Sequence, residues 1–100
     1  MKLADIYREN KRRYGKYIIM VKCGYFYEIY GEEAYIMNKI FGYKIKNVGG
    51  MDRAGFPISS YNKVINRLNR MHINYYIIGS DRVKFKDNNY DKYMRYVYER

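Results

Sequence analysis

The sequence has a single cysteine, a single histidine and no run of eighteen apolar residues. Because Cys23 is alone, an internal disulfide and a multi-cysteine zinc cluster are excluded, and we expect a buried structural thiol. The lack of a long apolar run predicts no membrane-spanning segment and no membrane partner. The polar N-terminus has no apolar signal region, so we expect a protein of the reducing cytoplasm.

Groups for catalysis and cofactor binding are equally scarce. The phosphate-binding pattern G-x-x-x-x-G-K-[ST] is absent, which predicts no nucleotide site. His72 follows a predicted helix, and we interpret it as a surface or cap residue rather than a metal ligand. The carboxylates are mostly isolated or next to basic residues, and Glu32-Glu33 suits a helix N-terminus. We therefore predict no enzymatic activity, metal, cofactor or small-molecule substrate.

The sequence is strongly basic. Its 20 Lys and Arg residues against 10 Asp and Glu residues give a net charge of +10. A field of that sign favours polyanions such as DNA or RNA. Part of the excess is compositional, because the dominance of Lys, Ile, Asn and Tyr is typical of an AT-rich genome. The nine arginines are not explained in that way. The charge is spread along the chain, so a folded surface rather than a basic tail would contact nucleic acid.

Hydrophobic periodicity predicts helices interleaved with strands. A helix over 3–14 ends at Gly15, and two strands follow on either side of Gly24. A second helix closes at Gly42, and Ser59 or Ser60 is the predicted N-cap of a third. The predicted helices cover 3–14, 32–41 and 61–71, and the predicted strands or extended segments cover 17–21, 25–30, 43–48, 51–57, 75–78 and 83–85.

This order predicts the fold class. Alternating helices and strands indicate an α/β (α+β) fold with a mixed sheet of about five or six strands, flanked by about three helices. We predict one domain over residues 1–100. The segment 81–100 is the less certain C-terminal element, and its pattern favours a helix over a strand.

Two blocks of sequence resemble the N-terminal mismatch-recognition domain (domain I) of the MutS DNA mismatch repair family. Residues 22–30, followed by Glu32-Glu33-Ala34, are similar to the family's strand, G-D-F-Y-E-[LI] string, acidic stretch and helix-opening alanine. Residues 54–57 before the helix 61–71 resemble the family's A-G-[VI]-P turn. The resemblance spans roughly residues 3–80. Tyr25 and Ser59 depart from the pattern, which usually has an acidic residue and a histidine there.

The resemblance implies a stand-alone or excised DNA-binding module. Phe26 matches the phenylalanine that wedges beside a mispaired base, and Glu28 matches the glutamate that hydrogen-bonds to that base. The expected partner is distorted or mismatched duplex DNA, with a further protein supplying the family domains that are missing here. Cations near the motif in sequence are candidate phosphate contacts: Lys11, Arg12, Arg13, Lys16, Lys22, Arg53 and Arg67.

Two other functions are compatible with the sequence. A protein-interaction or structural module could keep the fold without mismatch recognition, and its excess charge would then be compositional. An RNA-binding domain would use the same positive charge and the high content of aromatic residues to stack on bases.

Overall fold

The computed structural model describes residues 3–79, 82–85 and 90–98. Within these ranges the helices and strands alternate in the predicted order. The helices are α1 (Leu3–Arg13), α2 (Glu33–Phe41), α3 (Tyr61–Arg70) and α4 (Tyr90–Tyr98). The strands are β1 (Ile18–Cys23), β2 (Phe26–Tyr30), β3 (Lys46–Val48), β4 (Met51–Pro57), β5 (Tyr75–Ile78) and β6 (Arg82–Phe85).

The six described strands form one mixed sheet in the order β3-β4-β2-β1-β5-β6. β1 and β5 run parallel, and the other described pairs are antiparallel. The α+β fold class with a mixed sheet is therefore confirmed. The described residues include a fourth helix in addition to the three predicted with the sheet, because the ambiguous C-terminal segment contains α4. In the same segment, β6 pairs with β5 and α4 packs against α2.

Strand β1 is buried on both faces, which explains its continuous apolar run. Ile18 and Met20 lie in the larger core with α2, α3 and α4. Ile19 and Val21 point to the opposite face, where α1 contributes Tyr7 to a second core. Among the described helices, none is long and apolar enough to cross a bilayer.

Helix α1 covers only part of its side of the sheet. The second core consists of side chains from α1, β1 and β5 together with the end of β2. The first residues of β2 and their neighbours in β4 and β3 lie outside that core. This uncovered part of the sheet contains Phe26 and Glu28, the residues predicted to contact a mispaired base, and Arg53.

Tight turns fix the two hairpins that form this part of the sheet. Cys23 pairs with Phe26, so the β1–β2 loop is Gly24-Tyr25, and Gly24 has a positive φ of 59°. The β3–β4 loop is Gly49-Gly50, with φ of 62° and 80°. Two consecutive positive φ values are typical of a type I′ turn, which glycine adopts without steric cost.

One local prediction is confirmed in position and another is wrong. Ser60 is the N-cap residue of α3, but it makes no side-chain cap hydrogen bond, because Ile58–Ser60 form a 3₁₀ turn that leads directly into the helix. Cys23 is exposed rather than buried. The core side chains of β1 end at Val21, so the last two residues of the strand extend beyond the core into solvent.

Candidate nucleic-acid interface

The register of β2, β4 and β3 places the predicted site on the uncovered part of the sheet. Glu28 pairs with Gly55, and Lys46 pairs with Arg53, so all four residues lie on the same face as Phe26. We call this surface, formed by Phe26, Glu28, Lys46, Arg53 and Gly55, the open face. The Phe26 ring is 48% exposed although it lies on a strand next to the core.

The open face is concave and carries positive charge. Its pocket has a volume of about 430 Å³ and is also lined by Lys44 and Ala54. An apolar ring, a carboxyl group and three cations therefore line one cavity. This combination offers a ring for stacking, a hydrogen-bonding group for a base edge, and positive charge for phosphates.

Glu28 is half-buried between the hairpins. Burial raises the pKa of its carboxyl group above the usual value, and the positive charges of Arg53 and Lys46 partly oppose this shift. Among the residues of the open face, Glu28 carries the sole negative charge. The Glu28 carboxyl group is therefore partly desolvated rather than fully solvated.

Gly55 provides the space in which the Glu28 side chain lies. A Cβ at position 55 would stand 2.9 Å from Oε2 of Glu28 and 3.2 Å from the carbonyl oxygen of Tyr27. The first contact is shorter than side chains tolerate, so any larger residue must displace the carboxyl group. The glycine in the second sequence block therefore positions a residue of the first block.

We predict that Gly55→Ala displaces the Glu28 carboxyl group, and so weakens any binding that depends on that group, while leaving the fold intact. Overpacking of this kind costs about 1–3 kcal/mol when the neighbours cannot relax, and here a carboxyl group can rotate away. Thermal unfolding together with DNA titration would check this. Gly15→Ala is the matched control for the loss of a glycine, because its φ is not positive and a Cβ there would meet the Lys11 carbonyl oxygen at an ordinary contact distance of 3.8 Å. A Gly55→Ala variant that binds DNA just as the wild type does would contradict the positioning role.

Lys11 lies inside the fold rather than on the open face. Its Nζ is 2.7 Å from Oε1 of Glu33, whose side chain is 2% exposed. It also donates hydrogen bonds to the Tyr17 carbonyl and the Tyr90 hydroxyl, both at 3.0 Å. Burial raises the pKa of Glu33 and the charge of Lys11 lowers it again. The Lys11 ammonium group thus joins α1, α2 and α4 through contacts within the fold.

The other predicted phosphate contacts do not share one surface. Arg53 lies on the open face, whereas Arg67 lies on α3 on the other side of the sheet, beside Ile40 and Phe41 of α2. The remaining cations are exposed at the end of α1, in the loop after it and at the end of β1: Arg12, Arg13, Lys16 and Lys22. Lys16 forms an exposed ion pair with Asp91 at 3.1 Å.

Lys22 lies close to the motif but on the wrong face for the pocket. Its side chain lies against Gly79 and near the Tyr27 hydroxyl, on the side of the larger core. Phe26 points to the opposite side, because adjacent cross-strand positions alternate between faces. Seven cations were predicted as phosphate contacts because they are near the motif in the sequence. Of these seven, Arg53 lies on the open face.

Sequence reasoning missed Lys44 and Lys46, although both line the pocket. A signal for Lys46 was present in Gly49-Gly50, because a two-residue glycine turn fixes the register of the hairpin around it. Counting outward from that turn pairs Lys46 with Arg53. Lys44 precedes β3 and has no such signal, since loop geometry brings it to the pocket.

Within the described ranges, no group of three His, Cys, Asp or Glu side chains could hold a metal ion. A model of the family described as MutS domain I matches residues 2–98. That match includes both sequence blocks, the open face and the helices on either side of the sheet. A comparison with curated proteins finds no match.

Proposed function

The chain belongs to the MutS domain I family and is thus a module related to DNA mismatch recognition, and we propose that it binds mismatched or otherwise distorted duplex DNA without catalysing a reaction. In this proposal Phe26 enters the minor groove and stacks beside a mispaired base, and Glu28 hydrogen-bonds to that base. The observation that carries the proposal is the half-exposed Phe26 ring on the same face as the partly desolvated Glu28 carboxyl group.

The physical basis is the cost of opening a base step. An apolar wedge partly unstacks the duplex and kinks it, which costs a few kcal/mol at a normal step. The cost is lower where pairing is already defective, so a wedge discriminates without reading the sequence. Phe26 and Glu28 are two residues apart on β2, which puts both side chains on one face and within reach of one base.

Charge supports DNA as the partner and predicts how binding depends on salt. Lys44, Lys46 and Arg53 border the pocket and would neutralise phosphates on either side of the wedge. Three such contacts predict a slope of roughly −3 in log K against log salt for duplex DNA. Glu28 is unfavourable next to a polyanion unless it makes a specific contact, which supports a role in base recognition.

In this proposal the domain acts together with a partner protein that also holds the DNA. A small domain with few phosphate contacts binds weakly, with a Kd of about 10⁻⁴–10⁻⁶ M for non-specific duplex at physiological salt. A partner protein that holds the DNA would raise the effective affinity by linking two weak contacts. The proposal also keeps the predicted cytoplasmic location, where the exposed thiol of Cys23 would remain reduced.

The test is a fluorescence anisotropy titration of the protein with matched, G·T-mismatched and one-base-bulged duplexes at two salt concentrations. We expect mismatched or bulged duplex to bind at least about 5-fold more tightly, because one base–aromatic contact contributes about 1–3 kcal/mol. Equal affinity for all duplexes would refute mismatch recognition and favour the protein-interaction module. Stronger binding of single-stranded RNA at equal salt would favour the RNA-binding alternative.

A further inference from the structure

Tyr25, at the tip of the β1–β2 hairpin, is the most exposed of the large apolar side chains that the structure describes. It is 85% exposed, compared with 48% for the adjacent Phe26. Within the described ranges its ring packs on no other aromatic ring, and its hydroxyl has no hydrogen-bond partner. Rings of this size usually bury 150–250 Å² in a core or an interface. The Tyr25 ring therefore contributes little to folding and is available to a ligand.

The backbone that carries this ring is fixed. The Tyr25 carbonyl oxygen accepts a hydrogen bond at 2.9 Å from the Ile58 N–H, which follows Pro57. Gly24 completes the two-residue turn with its positive φ. The ring is thus held beyond the sheet by a closed hairpin, and binding through it loses little backbone entropy.

We propose that Tyr25 is a second base-stacking residue, which packs on the nucleobase next to the one that Phe26 contacts. This inference rests on the proposed function. Consecutive Cα atoms are 3.8 Å apart, and consecutive bases on one DNA strand rise by about 3.4 Å. Tyr25 directly precedes Phe26 in the chain, so in this proposal the base next to the one on Phe26 is the partner of the Tyr25 ring.

A nucleobase fits this position better than a protein side chain does. The tip borders the cationic pocket through Phe26, and Lys22 is exposed just before the turn. An aromatic ring between cations is the arrangement that stacks on bases while phosphates are neutralised. Two adjacent stacking rings would favour DNA in which two consecutive bases are unpaired over DNA with one.

The absence of tryptophan from the sequence allows a direct test. Tyr25→Trp introduces a lone indole, whose fluorescence is quenched when it stacks on a base. We expect quenching when the variant is saturated with a duplex that carries a two-base bulge. Val83→Trp is the matched control, because Val83 is an exposed strand residue on the other face of the sheet, paired with Ile77 of the larger core. That indole should keep its fluorescence.

Affinity supplies the second measurement. Tyr25→Ala should weaken binding to the two-base bulge about 5-fold or more, by the loss of one base–aromatic contact, and Tyr25→Phe should bind like the wild type. Matched duplex should be bound nearly equally by all three proteins. Circular dichroism would check that each variant keeps its fold.

The outcomes separate this inference from the function on which it rests. If Tyr25→Trp keeps a preference for bulged duplex but shows no quenching, the second stacking contact is refuted and the proposed function stands. If the wild type has no preference for any defect, the proposed function fails and the inference fails with it. Concentration-dependent self-association that is lost in Tyr25→Ala would assign the ring to a second copy of the chain and overturn the inference.

Discussion

Replacing Phe26 with alanine is expected to abolish the preference for mismatched duplex while leaving the affinity for matched duplex nearly unchanged. The ring is the apolar group of the open face that can enter a base step, and it is half exposed, so its loss removes little core packing. Base–aromatic stacking contributes about 1–3 kcal/mol, which is roughly a 5- to 150-fold loss in affinity for the mismatched duplex. In the proposed binding mode matched duplex is held through its phosphates, and the cations that would contact them remain in the variant.

Anisotropy titrations of both duplexes would measure this effect. Val83→Ala is the control, since it truncates another exposed apolar strand residue on the opposite face of the sheet. It should change neither affinity. A Phe26→Ala variant that still prefers the mismatch would show that the ring is not the wedge. A variant that loses all binding would indicate that Phe26 supports the surface as a whole.

Replacing Lys11 with alanine is expected to destabilise the protein strongly. The change leaves the Glu33 carboxylate buried without its cation at 2.7 Å, and it removes the hydrogen bond to Tyr90 that joins α1 to α4. Breaking a buried ion pair from one side costs about 3–5 kcal/mol. Lys11 is partly exposed, so we expect a loss near 3 kcal/mol. The free energy of unfolding of a domain of this size is about 5–15 kcal/mol, so the expected loss is a large fraction of it.

Denaturant unfolding would measure the loss, with Lys16→Ala as the matched control. Lys16 also forms an ion pair with a carboxylate, but both side chains are more than 70% exposed. Pairs of that kind contribute about 0–1 kcal/mol. Combining Lys11→Met with Glu33→Leu should recover much of the stability, because no charge is then left buried. Normal stability with weaker DNA binding in Lys11→Ala would instead support a phosphate contact by this residue.

The elements that could be predicted from the sequence are those determined by residues close to one another in the chain. Gly42 closes α2 in the left-handed conformation, with its N–H bonded to the Asn38 carbonyl at 2.8 Å, as glycine at a C-cap predicts. The apolar repeat of α3 and the β-branched run of β1 gave the right element types. The motif residues Phe26 and Glu28 come together because two-residue periodicity is also local.

The errors come from long-range packing. Lys11 resembled a surface cation in a run with Arg12 and Arg13, and only the tertiary structure brings Glu33 to it. Cys23 was expected to be a buried structural thiol, but it lies beyond Val21, where the buried part of β1 ends. Lys44 reaches the pocket through loop geometry, which no periodicity encodes. The sequence therefore gives the number of cations, but it does not show which of them share a surface.

The parallel pairing of β1 with β5 also has a kinetic consequence. Ile18 pairs with Tyr75, and the chain between them includes three strands and two α-helices, so this contact closes a long loop. Such pairings slow folding, because loop-closure entropy is lost before the contact forms. Until β5 arrives, the apolar strand β1 is an unprotected edge, and such edges promote aggregation. During synthesis the β1–β2 hairpin therefore emerges with one edge, strand β1, that stays unpaired until β5 has been made.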